Sequence, residues 1–229
     1  MTDRLRLVWP DPAAFEGRTD PIRLLAISDE PDASLDSAST RDAIGAVEMV
    51  IGCGDLEPDY LAFVADAFGA PLHYVRGNHD AGVAWGRAQH ELLPAPLRDG
   101  RVTEEAGVRL LGFSGSPHYS ESGVQFTGGQ MWWRVARAAL AAKGSRPVLV
   151  VTHAAPRGAN DAADPAHRGF AAFRWLAGVL EPPLWLHGHT ALVRRGLDDR
   201  STRLDGTLIY NCTGATVVEL LPPAAPPDQ

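Results

Sequence analysis

Cysteine is scarce in this chain. Two occur in 229 residues, Cys53 and Cys212, with no Cys-x-x-Cys spacing. Both sit in strand-like runs, so small buried side chains are a simpler reading than a disulfide or a zinc knuckle. No apolar stretch approaches the roughly 20 residues of a membrane span. Residues 1–10 carry charges and no apolar core, so no signal peptide is read there. A reducing cytoplasm is the expected compartment, and a membrane is not an expected partner. An excess of positive charge is missing too, since the net charge is −7 at pH 7. With no overall basic field to hold a nucleic-acid backbone, nucleic acid is expected only as a substrate. Nothing in the pattern indicates an oligomeric state.

What is present is an apolar fraction of 45%, enough for one domain with a real core. Short apolar runs at 22–27, 47–51, 72–75, 110–113, 148–151 and 184–186 read as buried strands, and 5–8 as an edge strand. Helices are expected at 60–68, started by Pro58-Asp59 and stopped by Gly69, and at 170–180. A further helix is expected at 129–143, with Thr127 and Gln130 at capping-box spacing and Gly144 as its stop. Its Trp132, Val135, Ala139 and Ala142 share one face, read as a core face. Residues 31–42, rich in Asp and Ser, read as loop, and 154–168 as a long loop. Residues 193–197, 207–210 and 215–220 read as a β-meander, with Asp205-Gly206 as a hairpin turn. A single domain over 1–221 is expected, followed by a proline-rich flexible tail, 222–229. The alternation of strands and helices, followed by strand after strand, indicates an α/β (α+β) fold. Open sheets of that class bind ligands beyond the carboxyl ends of their strands.

Polar residues stand at those ends. Arg76-Gly77-Asn78-His79-Asp80 follows one apolar run; Gly54-Asp55, Thr152-His153 and His187-Gly188-His189-Thr190 follow others. Asp55, Asn78, His153 and His189 make a mixed oxygen and nitrogen donor set. Such a set suits a divalent manganese ion, with iron or zinc next, better than calcium. An ion of this kind polarises a phosphoryl oxygen and lowers the pKa of bound water. His79 is the candidate to stabilise the transition state or protonate the leaving oxygen, with Asp80 orienting its ring. His118, after the strand at 110–113, and Arg157, His167 and Arg168, in the loop 154–168, are substrate-binding candidates; solvated loop residues are the alternative reading.

Asp29, Gly54-Asp55, Gly77-Asn78-His79-Asp80, Thr152-His153 and Gly188-His189 also stand in the order of the calcineurin-like metallophosphoesterase motifs. Over positions 25–191 the chain resembles that family. The resemblance implies two packed mixed β-sheets flanked by helices, a four-layer αββα sandwich. It also implies a site for two divalent metals that hydrolyses a small phosphate ester by metal-activated hydroxide, His79 assisting, with phosphodiesters slightly ahead of monoesters. Carried over by position, Asp55 would bridge the metals, Asn78, His153 and His189 would complete the second, and Asp29 would belong to the first.

The chain departs from the pattern in two places. The family's Asp-x-His is Asp29-Glu30-Pro31 here, and its Gly-His-x-His is Gly188-His189-Thr190-Ala191. Both missing imidazoles would serve the first metal, which keeps only Asp29 and Asp55. Three readings stay open: an enzyme with one metal, a first site rebuilt with Glu30 or His187, or a catalytically weak or inactive scaffold or binding protein of the same fold.

Overall fold

The apolar runs are near-continuous rather than alternating because most strands are covered on both faces. In the computed structural model, which describes residues 2–144, 146–190 and 200–224, they form two sheets. Strands β1 (Asp3–Val8), β2 (Ile22–Ser28), β3 (Met49–Gly52), β4 (Leu72–Tyr74) and β13 (Gly214–Leu221) make the first, in the order β1-β13-β2-β3-β4. Strands β5 (Val102–Glu105), β6 (Val108–Phe113), β9 (Leu149–Thr152), β10 (Leu184–His187), β11 (Ser201–Leu204) and β12 (Thr207–Asn211) make the second, in the order β11-β12-β10-β9-β6-β5. A short pair, β7 (Ser116–Pro117) with β8 (Gln125–Phe126), stands apart. The helices are α1 (Ala38–Ile44), α2 (Pro58–Phe68), α3 (Val83–Leu92), α4 (Gly128–Ala142) and α5 (Ala171–Leu180).

Alternate residues of β2 show how the layers stack. Leu24 and Ala26 face the second sheet, in a cluster with Ile51, Val151, Leu186 and Val218. Leu25 and Ile27 face the other way, against Leu35 and Ile44 near α1, Leu61 and Val64 of α2 and Trp85 of α3. On the far side, Val150, Trp185 and Ile209 of the second sheet pack on Met131 and Val135 of α4 and Phe173 and Leu176 of α5. The order is therefore helices, sheet, sheet, helices, the expected αββα sandwich. Strands β2, β3 and β4 run parallel, as do β6, β9, β10 and β12. Their carboxyl ends form the edge where the polar motifs emerge.

Local chemistry sets the helix ends. Pro58 opens α2, and Gly69 closes it in the left-handed region at φ 58°. Thr127 and Gln130 form the capping box of α4, with Gln130 N 3.3 Å from Thr127 Oγ1 and Thr127 N 2.8 Å from Gln130 Oε1. Among the described residues, no helix is long and apolar enough to cross a membrane. Cys53 and Cys212 are free and buried.

Three expectations need correction, and one strand had no expectation. Residues 31–42 are not a plain loop: a 3-10 turn at Ala33–Asp36 leads into α1, burying Leu35 and Ile44. The terminal strands are not one meander. β11 and β12 do pair across the Asp205-Gly206 turn, but β13 crosses to the first sheet and lies between β1 and β2. Trp132 is 40% exposed, whereas Val135, Ala139 and Ala142 are buried as expected. β5, too polar to stand out as a run, pairs with β6 as an edge strand. The expected strand at 193–197 and the end of the tail, 225–229, lie outside the described residues.

Candidate metal centre

Each motif residue follows a strand of the parallel core: Asp29 after β2, Asp55 after β3, Asn78 after β4, His153 after β9 and His189 after β10. The first three come from one sheet and the last two from the other, so the site spans the mouth between the sheets. Three of these residues adopt left-handed backbone: Asp29 at φ 58°, Asp55 at φ 56° and His189 at φ 66°. Non-glycine residues hold that conformation at a cost of roughly 1–3 kcal/mol each, so the surroundings must impose it. Close backbone approach contributes. A Cβ at Gly77 would overlap the Asp55 carboxylate, and one at Gly54 would lie 2.7 Å from His153 Nδ1.

Asp55, His153 and His189 offer ligand atoms that all lie within 4.8 Å of one another. His153 is fully buried. Its Nδ1 is 2.8 Å from the Cys53 carbonyl, a contact only an N–H can make. Its Nε2 faces Asn78 Oδ1 at 2.9 Å and Asp55 Oδ2 at 3.3 Å, where it donates a proton while the ring is charged and would offer a lone pair once a cation displaces that proton. His189 is arranged likewise: Nε2 donates to the Ala166 carbonyl at 2.7 Å, leaving Nδ1 as an acceptor. Its ring lies against His153, with centroids 4.7 Å apart. Two imidazoles, each with one nitrogen held by a main-chain carbonyl, converge with a carboxylate and an amide oxygen, a donor set that a divalent cation would satisfy. Without a cation, a proton on His153 takes that place. Burial opposes charge on His153, yet the Asp55 hydrogen bond and the Asp55 and Asp29 charges outweigh it and lift its pKa to about 9. Burial pulls His189 down to about 3, so its ring is neutral. The residues present fit a divalent metal.

The supports of this set are visible too. Asn78 Nδ2 donates to Tyr119 Oη at 3.0 Å, which turns Oδ1 toward His153. The His79 amide donates to Asp55 Oδ1 at 2.8 Å, leaving Oδ2 toward His153. The His79 ring, 76% exposed, stands at the mouth with Nε2 4.0 Å from Asp55 Oδ2. Asp80 does not orient that ring, contrary to expectation. One oxygen, Oδ2, accepts the Gly77 amide at 2.7 Å and the Asp55 amide at 2.9 Å, so the carboxylate braces the two loops beneath the site. Burial raises its pKa to about 6. Arg76 holds the Asp80 carbonyl through Nε at 2.9 Å and stacks 4.8 Å over Trp85.

The remaining candidates divide. Both oxygens of Asp29 accept the His189 amide at 3.0 Å, and Oδ2 also takes the Ser28 hydroxyl at 2.6 Å and the Thr213 hydroxyl at 3.4 Å. Glu30 is exposed. His187, next in the alternation after Trp185, is buried on the helix side of β10, with Nδ1 2.9 Å from the Gly188 carbonyl. Burial lowers its pKa to about 4. His167 lies near the site, its ring centroid 4.9 Å from that of His189 and its Nδ1 2.9 Å from Asp164. Arg157 and Arg168 line a separate shallow cavity with Asp161, and His118 is exposed on the short β7–β8 element. Sequence reasoning missed Tyr119. Adjacent residues of extended chain point to opposite sides, so His118 and Tyr119 cannot both face the site; no spacing rule selects which does.

The chain matches the family model for calcineurin-like phosphoesterases over residues 42–192. No curated protein matches it. Among solved structures it is similar to TT1561 of Thermus thermophilus, with TM-score 0.57 and 14% identity over 85% of this chain and 90% of that one. It is also similar to a dimetal phosphatase from Danio rerio, LOC 393393, with TM-score 0.52 and 16% identity over 88% of this chain and 94% of that one. At such identities the structural likeness concerns the fold.

Proposed function

The chain belongs to the calcineurin-like phosphoesterase family, and from that premise we propose that it hydrolyses a small phosphate ester using one divalent cation held by Asp55, Asn78, His153 and His189. The observation that carries this reading is the convergent donor set. Each imidazole spends one nitrogen on a main-chain carbonyl, the other nitrogen of His153 faces the Asn78 and Asp55 oxygens, and His189 offers a ligand atom within 4.8 Å of those of Asp55 and His153. Manganese is the proposed ion, because two imidazoles with hard oxygen donors suit it. When bound, it would polarise a phosphoryl oxygen and acidify the attacking water.

The chain's own groups supply the rest. The His79 amide keeps Asp55 oriented, and its exposed imidazole, 4.0 Å from Asp55 Oδ2, would give a proton to the departing oxygen. Tyr119 keeps the Asn78 amide facing inward. A single cation is proposed because Asp29 is already engaged with the His189 amide and two hydroxyls. Among the described residues, no third histidine, cysteine or carboxylate completes a set around Asp29 and Asp55. A phosphodiester is the preferred class, on the family resemblance alone.

Elemental analysis of protein purified without chelator, paired with hydrolysis of bis(p-nitrophenyl) phosphate with and without manganese, tests the proposal. One metal equivalent with turnover is expected. Two equivalents would refute the single-cation centre, and no metal with no turnover would refute the hydrolase reading in favour of a binding scaffold.

A further inference from the structure

Beside the centre lies a cavity of about 310 Å³ that the chemistry above does not use. One wall is the ligand loop, Asn78 and His79, with Gly82 behind it; the other is the segment between β7 and β8, through Tyr119, Ser122 and Gln125. That second wall is built, not draped. Gln125 Oε1 accepts the amides of Tyr119 and Ser120 at 2.8 and 3.1 Å, and its Nε2 donates to Ser120 Oγ at 2.7 Å and the Ser122 carbonyl at 2.5 Å. The Val124 amide donates to the Asn78 carbonyl at 3.1 Å, which pins the segment to the ligand loop. The two walls therefore keep their spacing.

The lining has a definite chemistry. It holds hydroxyls, amides, a phenol ring and the His79 imidazole, and neither Lys nor Arg. Tyr119 Oη accepts from Asn78, so the phenol proton points elsewhere. Its ring is 40% exposed and offers a flat apolar surface. A volume near 310 Å³ is at the small end of ligand pockets, room for about one ring system. A second phosphate or a carboxylate would find no Lys or Arg here, and the His79 proton is committed to the departing oxygen. His79, the group at the mouth, also lines this cavity, so the cavity adjoins the place where His79 would protonate the departing oxygen.

We infer that the cavity seats the alcohol half of the substrate, that this alcohol is uncharged and ring-bearing, and that Tyr119 is the residue that selects it. The inference rests on the phosphoesterase reading of the adjoining centre. It names the substrate class: an aryl or nucleoside-like ester rather than a polyanionic one.

The test uses stable analogues bound to manganese-loaded protein and followed by calorimetry: inorganic phosphate, methylphosphonate, phenylphosphonate and p-carboxyphenylphosphonate. Phenylphosphonate is expected to bind about tenfold more tightly than methylphosphonate, from partial burial of its ring. The carboxylated ring is expected to lose that advantage. Ser122→Trp, which fills the cavity from an exposed loop away from the ligands, should abolish the preference while leaving inorganic phosphate binding unchanged. Tyr119→Phe should keep the ring preference and Tyr119→Ala should lose it. Phosphate binding with no phenyl advantage, or a phenyl advantage that survives Ser122→Trp, would overturn the cavity assignment alone. Failure of inorganic phosphate to bind at all would overturn the phosphoesterase reading and this inference with it.

Discussion

Asp80 gives the sharpest test of how the centre is held. A single oxygen of its carboxylate accepts two main-chain amides, Gly77 at 2.7 Å and Asp55 at 2.9 Å. Removing it by Asp80→Ala leaves two donors without a partner beneath the site. An orphaned buried donor costs about 1–3 kcal/mol, so the loss is roughly 2–6 kcal/mol, a large share of a typical 5–15 kcal/mol stability. Asp55 would also lose a restraint on its left-handed backbone, and metal affinity should fall with it. Asp80→Asn behaves differently, because one amide oxygen can accept both bonds. It should lose no more than about 1–2 kcal/mol and keep most of its metal affinity. Urea unfolding of the metal-free proteins and calorimetric titration with manganese measure both quantities. If the two variants lose stability and affinity equally, the shared-oxygen bracing is wrong. If Asp80→Asn instead acts like loss of His79, cutting turnover with binding intact, Asp80 orients the imidazole after all.

Three further outcomes follow from the same geometry. His79→Ala should lower kcat by about 10²–10⁴-fold with manganese stoichiometry and Tm unchanged, since the ring is 76% exposed; unchanged turnover would remove its proposed role. Chelation should lower Tm, and manganese at a hundredfold over its Kd should restore about 2.7 kcal/mol of stability; a Tm indifferent to metal would count against the four-residue site. Arg76→Leu should reduce both stability and metal affinity, because the Asp80 carbonyl loses its donor and Trp85 its stacked cation; a neutral effect in denaturant titration would mean the loop holds itself.

The centre was legible because its residues are tied to the most legible elements. Asp55, His153 and His189 each follow a strand buried along its whole length, Asn78 follows the short apolar run of β4, and such strands show as apolar runs in any local window. What stayed hidden depends on partners distant in the chain. Nothing near Asp80 says that its oxygen serves the Asp55 amide, and nothing near Tyr119 says that it meets Asn78. The crossing of β13 was misread for a similar reason. Hairpin spacing pairs β11 with β12, but local pattern does not say which sheet receives the next strand. The unbroken burial of Ala215 to Leu220 is the mark of a central strand, and a meander edge would alternate. At seven residues, with Ile44 its one buried position, α1 is too short to show a period.

Asp29 decides between one cation and two. If it is a ligand of a first metal, its charge matters, and Asp29→Asn should lose one equivalent. If it is instead the brace of His189, its acceptor oxygens matter. Both are 3.0 Å from the His189 amide, and His189 sits at φ 66°, a conformation that needs such a restraint. Asparagine retains one oxygen there, so Asp29→Asn should still bind one manganese with affinity within about tenfold of the parent. Asp29→Ala retains none; the His189 turn should relax, and affinity should fall about 10–100-fold, the usual range when a group that orients a metal ligand is lost, still at one equivalent. Isothermal titration of the three proteins separates the cases. Two equivalents in the parent and one in Asp29→Asn would make Asp29 a ligand, and some group other than the missing histidines would then have to complete that first site.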